Sequence, residues 1–246
     1  MVTSETFFSY RGYKDFLYYA KNFKIIRLKD FNGEKGVILR HDVDFDVESA
    51  YRLALVEHEM GIKTSYFFLV TCHTYNLFSY VNRYYVQKIK EMGHEIGLHF
   101  DPTVYSYNSF EELKNYVDKE AQILSFLINE KVESISLHNP SVYNSFPLFD
   151  GYKNAYDPLI FGDDKYISDS CMDFRGKNIY EFIKKSEIHV IQILLHPFHF
   201  TEEGYTNYNQ IFSKILRRKI GLIHKYFKPN RKYANEVIDL LDSLCK

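Results

Sequence analysis

Short apolar runs alternate along this chain with segments in which apolar residues recur at helical spacing. The first clear run covers residues 37–39 and ends in polar residues. After it, Asp46 can cap a segment that Gly61 ends. The apolar positions of that segment are Ala50, Leu53, Ala54 and Met60. This pattern predicts a strand followed by a helix.

The same alternation continues towards the C-terminus. Further strands are predicted at residues 64–71, 95–100, 133–137 and 190–195. Helices are predicted at 80–92 and 109–129, and an irregular stretch at 146–177. Gly93 closes the first of these helices, while Ser109 and Glu112 form a capping box at the start of the second.

Strands that alternate with helices favour a parallel α/β sheet. A length of about 250 residues suits a closed or nearly closed (β/α) barrel, with a doubly wound open sheet as the alternative. The chain shows no internal repeat, low-complexity segment or Pro/Gly/Ser-rich linker. We therefore expect a single domain over residues 1–246, with its motifs at about 35–200 and C-terminal helices at 209–246.

Composition narrows the classes of function. The chain carries 31 basic and 32 acidic residues, so its net charge gives no support for a nucleic-acid partner. No run of about 18 apolar residues predicts a membrane span, and the N-terminal residues lack the pattern of a signal peptide. Three cysteines without CxxC spacing favour a reduced compartment. A cytoplasmic protein is the expectation.

Distinctive polar residues follow each predicted core strand. The carboxyl ends of parallel strands meet at one face of a sheet or barrel, where binding and catalytic residues collect. The side chains expected there are Arg40, Asp42, Asp44, His99, Asp101, His138, His196 and His199. Of these, Asp42, Asp44, His99 and His196 together carry the functional hypothesis.

Carboxylates and imidazoles from different strands are typical ligands of a divalent metal ion, Zn²⁺ foremost, which would leave a position open for water. Such a site suits hydrolysis of an amide or ester, with a second carboxylate as base and a remaining histidine as acid. Each residue also has a structural alternative. Asp44 and Asp46 could both cap a helix. Structural roles are expected for His58, His73, His94, His189 and His224.

Three motifs resemble those of the polysaccharide deacetylases, the NodB-like carbohydrate esterases. They are RHDVDFDVESAYRLALVEHEMGIKTSYFF, EMGHEIGLHFDP and ILLHP, and the resemblance covers roughly residues 35–200. It implies a distorted (β/α) barrel that removes N- or O-acetyl groups from sugars with the help of a metal. By this resemblance Asp42 is the catalytic base, Asp44 and His99 are metal ligands, and His196 protonates the leaving group.

The chain also departs from the family pattern. Thr103 stands where the family has its second metal histidine, so the third ligand is expected to be either His138 or Asp101. His138 stands about where the family carries an Arg-Pro motif that orients the base, so this resemblance makes it either a ligand or the orienting group. Arg40 could take over that orientation.

The remaining site residues stay open at this stage. In ISDSCMDF, Asp169 could hold a histidine in place. His199 either contacts substrate or finishes a turn.

The RHDVD motif replaces the family's TFDDG form, which associates the chain with a divergent branch in surface polysaccharide synthesis. A cytoplasmic enzyme would meet an acylated sugar as a free sugar or as a nucleotide- or lipid-linked precursor. One alternative is hydrolysis of another substrate: an O-acetyl sugar, a formamide or a ureide. A metal-free sugar-binding domain, suggested by Thr103, is the other.

Overall fold

The structure is a computed structural model that describes residues 7–236. By its internal contacts the chain divides into two compact units, with the boundary between Gly204 and Tyr205. Among the described residues, no helix is long and apolar enough to cross a membrane.

The first unit alternates strands with helices. Its strands are β1 (Ile25–Ile26), β2 (Gly36–Val43), β3 (Ser65–Leu69), β4 (Glu95–Phe100), β5 (Ser134–Leu137), β6 (Lys153–Asn154), β7 (Tyr166–Ser168) and β8 (Val190–Leu195). Its α-helices are α1 (Tyr10–Ala20), α2 (Val47–Glu59), α3 (Tyr80–Glu91), α4 (Phe110–Ile128), α5 (Pro140–Tyr143) and α6 (Ile179–Phe182). Short 3-10 helices lie at Leu28–Asp30, Pro102–Val104, Ser170–Met172, Ile183–Glu187 and Pro197–His199.

The eight strands form one sheet in the order β6-β5-β4-β3-β2-β8-β7, and β1 pairs with the start of β2. All of these pairings are parallel. Parallel strands require crossover connections, and helices α2, α3 and α4 provide them between β2 and β5.

The sheet curls into an incomplete barrel. Arg40 on β2 donates a hydrogen bond to Ser136 on β5, although β3 and β4 lie between these strands in the sheet. Near the two edges, Gln192 Nε2 on β8 donates to the carbonyl of Ala155, just after β6, at 2.8 Å. The edge strands β6 and β7 are not paired with each other among the described residues. The predicted distorted (β/α) barrel is thus confirmed, and the doubly wound sheet is not formed.

Alternation along β2 separates two kinds of polar residue. Arg40 and Asp42 face the barrel interior, whereas His41 faces the surrounding helices and contacts Glu57 of α2 at 2.7 Å. Glu57 is fully buried and also accepts hydrogen bonds from Tyr13, Thr64 and Tyr66. This group of side chains fixes α1 and α2 against the sheet.

Several predicted boundaries agree closely with the structure. Strands β4 and β8 have the predicted bounds, and Asp46 caps α2 by accepting hydrogen bonds from the amide and hydroxyl of Ser49. At α4, Ser109 accepts from the Glu112 amide. The reciprocal bond of the predicted capping box is displaced by one residue, because Glu112 Oε2 accepts from the amide of Asn108.

Two expectations need correction. The stretch 146–177 contains β6 and β7, which have only two and three residues and so give no periodicity to detect. Strand β3 is shorter than the predicted 64–71, because the amide of Leu69 donates to Tyr75 Oη instead of continuing the sheet.

The second unit contains α7 (Tyr208–Phe227) and α8 (Arg231–Glu236). Asn207 caps α7 through a hydrogen bond from the Gln210 amide. The part of the predicted C-terminal helices at 237–246 lies outside the described residues.

Candidate metal centre

The spacing of the RHDVD motif follows from the strand geometry of β2. Successive side chains of a strand point to opposite faces, so Asp42 and Asp44 can share the inward face while Val43 is directed away. Val43 is buried in the apolar core. A pair of aspartates separated by one residue therefore delivers two carboxylates to the same end of the barrel.

Asp44 lies at the centre of a cluster of histidines from three strand ends. Its Oδ1 is 3.0 Å from His99 Nε2 and 3.6 Å from His138 Nδ1, and these two nitrogens are 3.2 Å apart. Four-coordinate zinc with bonds of 2.0–2.1 Å requires ligand atoms about 3.3 Å apart. The three atoms thus have the spacing that one tetrahedral ion requires.

Hydrogen bonding around the cluster also favours a cation. His99 Nδ1 is 3.1 Å from the carbonyl of Ser136, which can only accept, so the hydrogen of the neutral ring is on Nδ1. The lone pair of His99 Nε2 then faces Asp44 Oδ1, a buried atom that accepts no hydrogen bond from the described residues. Two lone pairs at this distance are stabilised by a metal ion or by a proton between them.

His138 completes this arrangement from the end of β5. Its amide donates to the carbonyl of Phe100 at 2.8 Å, which continues the pairing of β4 with β5. Its Nε2 lies 2.9 Å from the amide group of Asn139. Asn139 Nδ2 donates to this nitrogen, so the hydrogen of the neutral His138 ring is on Nδ1, which faces His99 Nε2. An ion at Nδ1 requires the other tautomer, with the Asn139 amide turned so that its oxygen accepts from Nε2.

Electrostatics keep the Asp44 carboxyl ionised. Burial would raise the pKa of Asp44, but its contacts with His138 and His99 and the nearby charge of His196 hold that pKa well below its usual range. Burial likewise acts to lower the pKa of His138, whereas its contact with the Asp44 carboxylate and the charge of that group raise it above its ordinary value. A carboxylate and two imidazoles are a common donor set for Zn²⁺.

Asp42 is held from below by two side chains. Arg40 Nη1 lies 2.7 Å from each carboxylate oxygen of Asp42, and Ser136 Oγ lies 3.1 Å from Oδ2. Asp42 Oδ2 is also 3.9 Å from His99 Nε2. Asp42 therefore lies at the edge of the cluster and is oriented by groups that are themselves buried.

Arg40 lies in the barrel interior beneath the site. It is fully buried, its Nη2 donates to Tyr156 Oη at 3.1 Å, and its guanidinium lies 5.1 Å from the centre of that ring. Burial acts to lower the pKa of Arg40, but the charge of Asp42 raises it above its ordinary value, so the side chain stays cationic. Ionised Arg40 compensates the charge of the buried Asp42.

His196 approaches Asp44 from the opposite side. Its Nε2 is 3.5 Å from Asp44 Oδ2, while its Nδ1 is 2.6 Å from Asp169 Oδ1. Burial acts to lower the pKa of His196, but the charge and hydrogen bond of Asp169, with smaller effects of Asp44 and Asp42, raise it to about 9. At neutral pH His196 can therefore carry a proton that faces the cluster.

Asp169 joins His196 to His199. Its Oδ2 is 2.8 Å from His199 Nδ1, and it also accepts from the amide of His196. Distances of 2.6 and 2.8 Å are those of direct hydrogen bonds, shorter than the spacing around a metal. His199 is 1% exposed and contacts the far side of Asp169. Of its two expected roles, the structure therefore favours completion of the turn over contact with substrate.

Asp101 does not join the cluster. Its Oδ1 accepts hydrogen bonds from the amide and the hydroxyl of Thr103, at 2.9 and 2.6 Å. Asp101 thereby caps the short helix Pro102–Val104. Thr103 stands at the family's ligand position. It is thus hydrogen-bonded to Asp101, the residue that the sequence offered as an alternative third ligand.

Sequence reasoning missed Ser136. Its hydroxyl contacts Arg40 and Asp42, and its carbonyl accepts from His99. The only signal is its position in SISLH, two residues before His138 on the inward face of β5. A serine in a short buried strand gives no chemical signature before the fold is known.

No family model matches the chain, and no curated protein matches it. The structure is similar to several solved structures, among them two of the CE4 family and a chitin deacetylase. One is a CE4 family pseudoenzyme from Bacillus anthracis: 13% identity, TM-score 0.42, 75% of this chain and 62% of that chain covered. The chain thus spans less than two thirds of the length of that pseudoenzyme.

Two further similar structures are covered more completely. The chitin deacetylase from Colletotrichum lindemuthianum has 12% identity and a TM-score of 0.43, with 74% of this chain and 81% of that chain covered. The Xyl-CE4 domain of a multidomain xylanase, from the hindgut metagenome of Trinervitermes trinervoides, has 17% identity and a TM-score of 0.42, with 74% and 91% covered.

Proposed function

We propose that this protein is a metal-dependent hydrolase that removes an N-acetyl or other N-acyl group from an amino sugar. The proposed substrate is a free sugar or a nucleotide- or lipid-linked precursor in surface polysaccharide synthesis, met in the cytoplasm. One observation carries the proposal: Asp44, His99 and His138 present three ligand atoms 3.0 to 3.6 Å apart, between the buried carboxylate of Asp42 and a third histidine, His196.

Zn²⁺ is the proposed cofactor, held by Asp44, His99 and His138. When bound, such an ion supplies a Lewis acid that polarises an acyl carbonyl and acidifies water. Asp42 is the proposed base that takes a proton from the attacking water. Its carboxylate is held by Arg40 and Ser136, which leaves it ready to accept.

His196 is the proposed acid. Its pKa of about 9 keeps the ring protonated at neutral pH, and Nε2 faces the cluster while Asp169 fixes Nδ1. Donation of the Nε2 proton to the leaving nitrogen would release a free amine, and the oxygen of water would end in the carboxylate product. Asp42 and His196 thus move protons at opposite sides of Asp44.

The first test is metal content and activity together. The protein is purified without a metal-affinity tag, and bound metal is measured in wild type, His99→Ala, His138→Ala and His58→Ala. We expect about one equivalent in wild type, little in the first two variants and an unchanged content in His58→Ala, because His58 is an exposed residue of α2. A wild type that neither contains nor takes up metal would favour the sugar-binding alternative and overturn the hydrolase.

Activity is then measured as acetate release from N-acetylglucosamine and its uridine diphosphate conjugate. Asp42→Asn should keep its metal and lose at least about 100-fold in kcat, since general base catalysis contributes 10²–10⁴. If only O-acetyl sugars, formamides or ureides are hydrolysed, the proposed hydrolytic mechanism stands and the proposed N-acyl substrate is wrong.

A further inference from the structure

Ser136 is neither the proposed base nor a proposed metal ligand, but it forms hydrogen bonds with one of each, Asp42 and His99. It is the third residue of β5, it is fully buried, and it pairs in register with His99 of β4. Its side chain reaches Asp42 and its main chain reaches His99. The hydroxyl and the carbonyl group that make these two contacts thus belong to the same residue.

The hydroxyl of Ser136 has a defined direction of hydrogen bonding. Arg40 Nη1 can only donate, so Ser136 Oγ accepts from it. The hydroxyl hydrogen is then free for Asp42 Oδ2 at 3.1 Å. Ser136 therefore supplies Asp42 with a donor besides Arg40.

The carbonyl of Ser136 does a separate task. It accepts from His99 Nδ1 at 3.1 Å, which directs the lone pair of Nε2 towards Asp44. This contact belongs to the main chain, so it survives any replacement of the side chain. The two roles of Ser136 can therefore be separated by mutation.

We propose that Ser136 is a positioning residue that sets the base at a fixed distance from the metal ligands, a role that rests on the proposed function. Without the hydroxyl, the one remaining donor to Asp42 among the described residues is Arg40, whose Nη1 contacts both oxygens. Water cannot easily replace the lost donor, because Asp42 is 2% exposed. The carboxylate can then rotate about this single donor, so its distance from the metal ligands is no longer fixed.

Ser134 offers a matched control on the same strand. It is the first residue of β5, it is also fully buried and inward-facing, and its hydroxyl donates to Glu95 at the opposite end of the strands. Loss of the Ser134 hydroxyl removes its buried hydrogen bond to Glu95, and loss of the Ser136 hydroxyl removes its buried hydrogen bonds with Arg40 and Asp42. Only the loss at Ser136 touches Asp42.

The experiment compares Ser136→Ala with Ser134→Ala on p-nitrophenyl acetate, whose leaving group needs no acid, together with bound zinc. Ser136→Ala should lower kcat by at least about tenfold with KM and zinc content unchanged, since small displacements of a catalytic group cost up to about 100-fold. Ser134→Ala should keep wild-type kcat. Equal kcat values in the two variants, or loss of zinc from Ser136→Ala, would overturn the positioning role.

A second pair of variants separates loss of the hydroxyl from a general effect on folding. Ser136→Thr keeps the hydroxyl and Ser136→Val has nearly the same shape without it, and both residues suit a strand. Thr should retain most of the activity and Val should behave as Ala. Equal activity in Thr and Val overturns the role of the hydroxyl. A zinc-loaded wild type without esterase or deacetylase activity overturns the proposed function, and the role of Ser136 with it.

Discussion

His196 Nδ1 lies 2.6 Å from Asp169 Oδ1, at a point where the amide of His196 also donates to the same carboxylate. Asp169 thus fixes both the position of the ring and the nitrogen that faces Asp44. Because Asp169 is fully buried, its charge acts on His196 with little screening. Asp169 therefore also raises the pKa of His196, and this effect can be measured without a substrate.

We expect Asp169→Asn to flatten the pH dependence of stability of the metal-free protein. The pKa of His196 rises from 6.5 to about 9 on folding, so folding binds a proton between these values. That stabilisation is complete below about pH 6.5 and is lost as pH rises through about 9. Its size is at most about 3 kcal/mol.

The measurement is urea unfolding in the presence of a chelator at several pH values from 6 to about 10. The free energy of unfolding of wild type should fall with pH more steeply than that of Asp169→Asn. Asp173→Asn is the control, because Asp173 is exposed and its Oδ1 accepts a local hydrogen bond from the amide of Arg175. Identical slopes for wild type and Asp169→Asn would contradict the coupling.

The sequence predicts the strands and helices whose signal is local. Strand β8 is an uninterrupted apolar run, and Asp46 and Ser109 are capping residues next to helical periodicity, so each is recognised without knowledge of the fold. Strands β6 and β7 are too short to show a period. Their pairing is decided by the curl of the sheet, which no short segment encodes.

The site is predicted in the same uneven way. Residues at strand ends, such as Asp44 and His99, are indicated by the parallel topology alone. The choice between His138 and Asp101 needs three-dimensional information, because both follow a strand. Ser136 stays hidden because its contacts join β5 to β2 across the barrel.

His138 should be required for metal binding and Asp101 should not. His138 Nδ1 lies 3.2 Å from His99 Nε2, whereas Asp101 is held by Thr103. Replacing a metal ligand should weaken zinc binding by more than 10–100-fold, which is the typical effect of replacing a residue that only hydrogen-bonds to a ligand. Zinc titration with a competing chelator tests His138→Ala beside Asp101→Asn. Loss of zinc from the Asp101 variant, with binding retained by the His138 variant, would exchange their roles.

Glu57 should be one of the most costly residues to replace outside the site. It accepts from Tyr13 and His41 on Oε1 and from Thr64 and Tyr66 on Oε2 while fully buried. Breaking a buried charged pair costs about 3–5 kcal/mol, so Glu57→Gln should lose stability of that order. Glu59→Gln is the control and should change stability by less than about 0.5 kcal/mol, since its ion pair with Lys14 is exposed.

The dependence of the free energy of unfolding on acidic pH gives a second test of Glu57. Burial would raise the pKa of Glu57, but His41 and the other contacts lower it from 4.5 to about 2. The resulting stabilisation is present above about pH 4.5 and is lost as pH falls towards 2. Urea unfolding of Glu57→Gln should therefore show a weaker dependence in this range. A variant as stable and as acid-sensitive as wild type would show that the contacts contribute little.

Gly97 should not tolerate alanine. It lies two residues before His99 on β4, and a Cβ there would overlap the ring of Phe67 and come within 2.8 Å of Ser134 Oγ. Overpacking of this kind costs about 1–3 kcal/mol, and its relief by a smaller neighbour identifies the cause. Gly97→Ala combined with Phe67→Leu should therefore lose less stability than the sum of the single variants. Gly221→Ala is the opposite control, because among the described residues no atom outside its own helix backbone lies within 4 Å of its Cβ position. The residue lies within α7, where alanine should add about 0.5–1 kcal/mol. If Gly97→Ala is neutral in urea unfolding, the close approach of Phe67 is not what requires glycine in the HEIGLH motif.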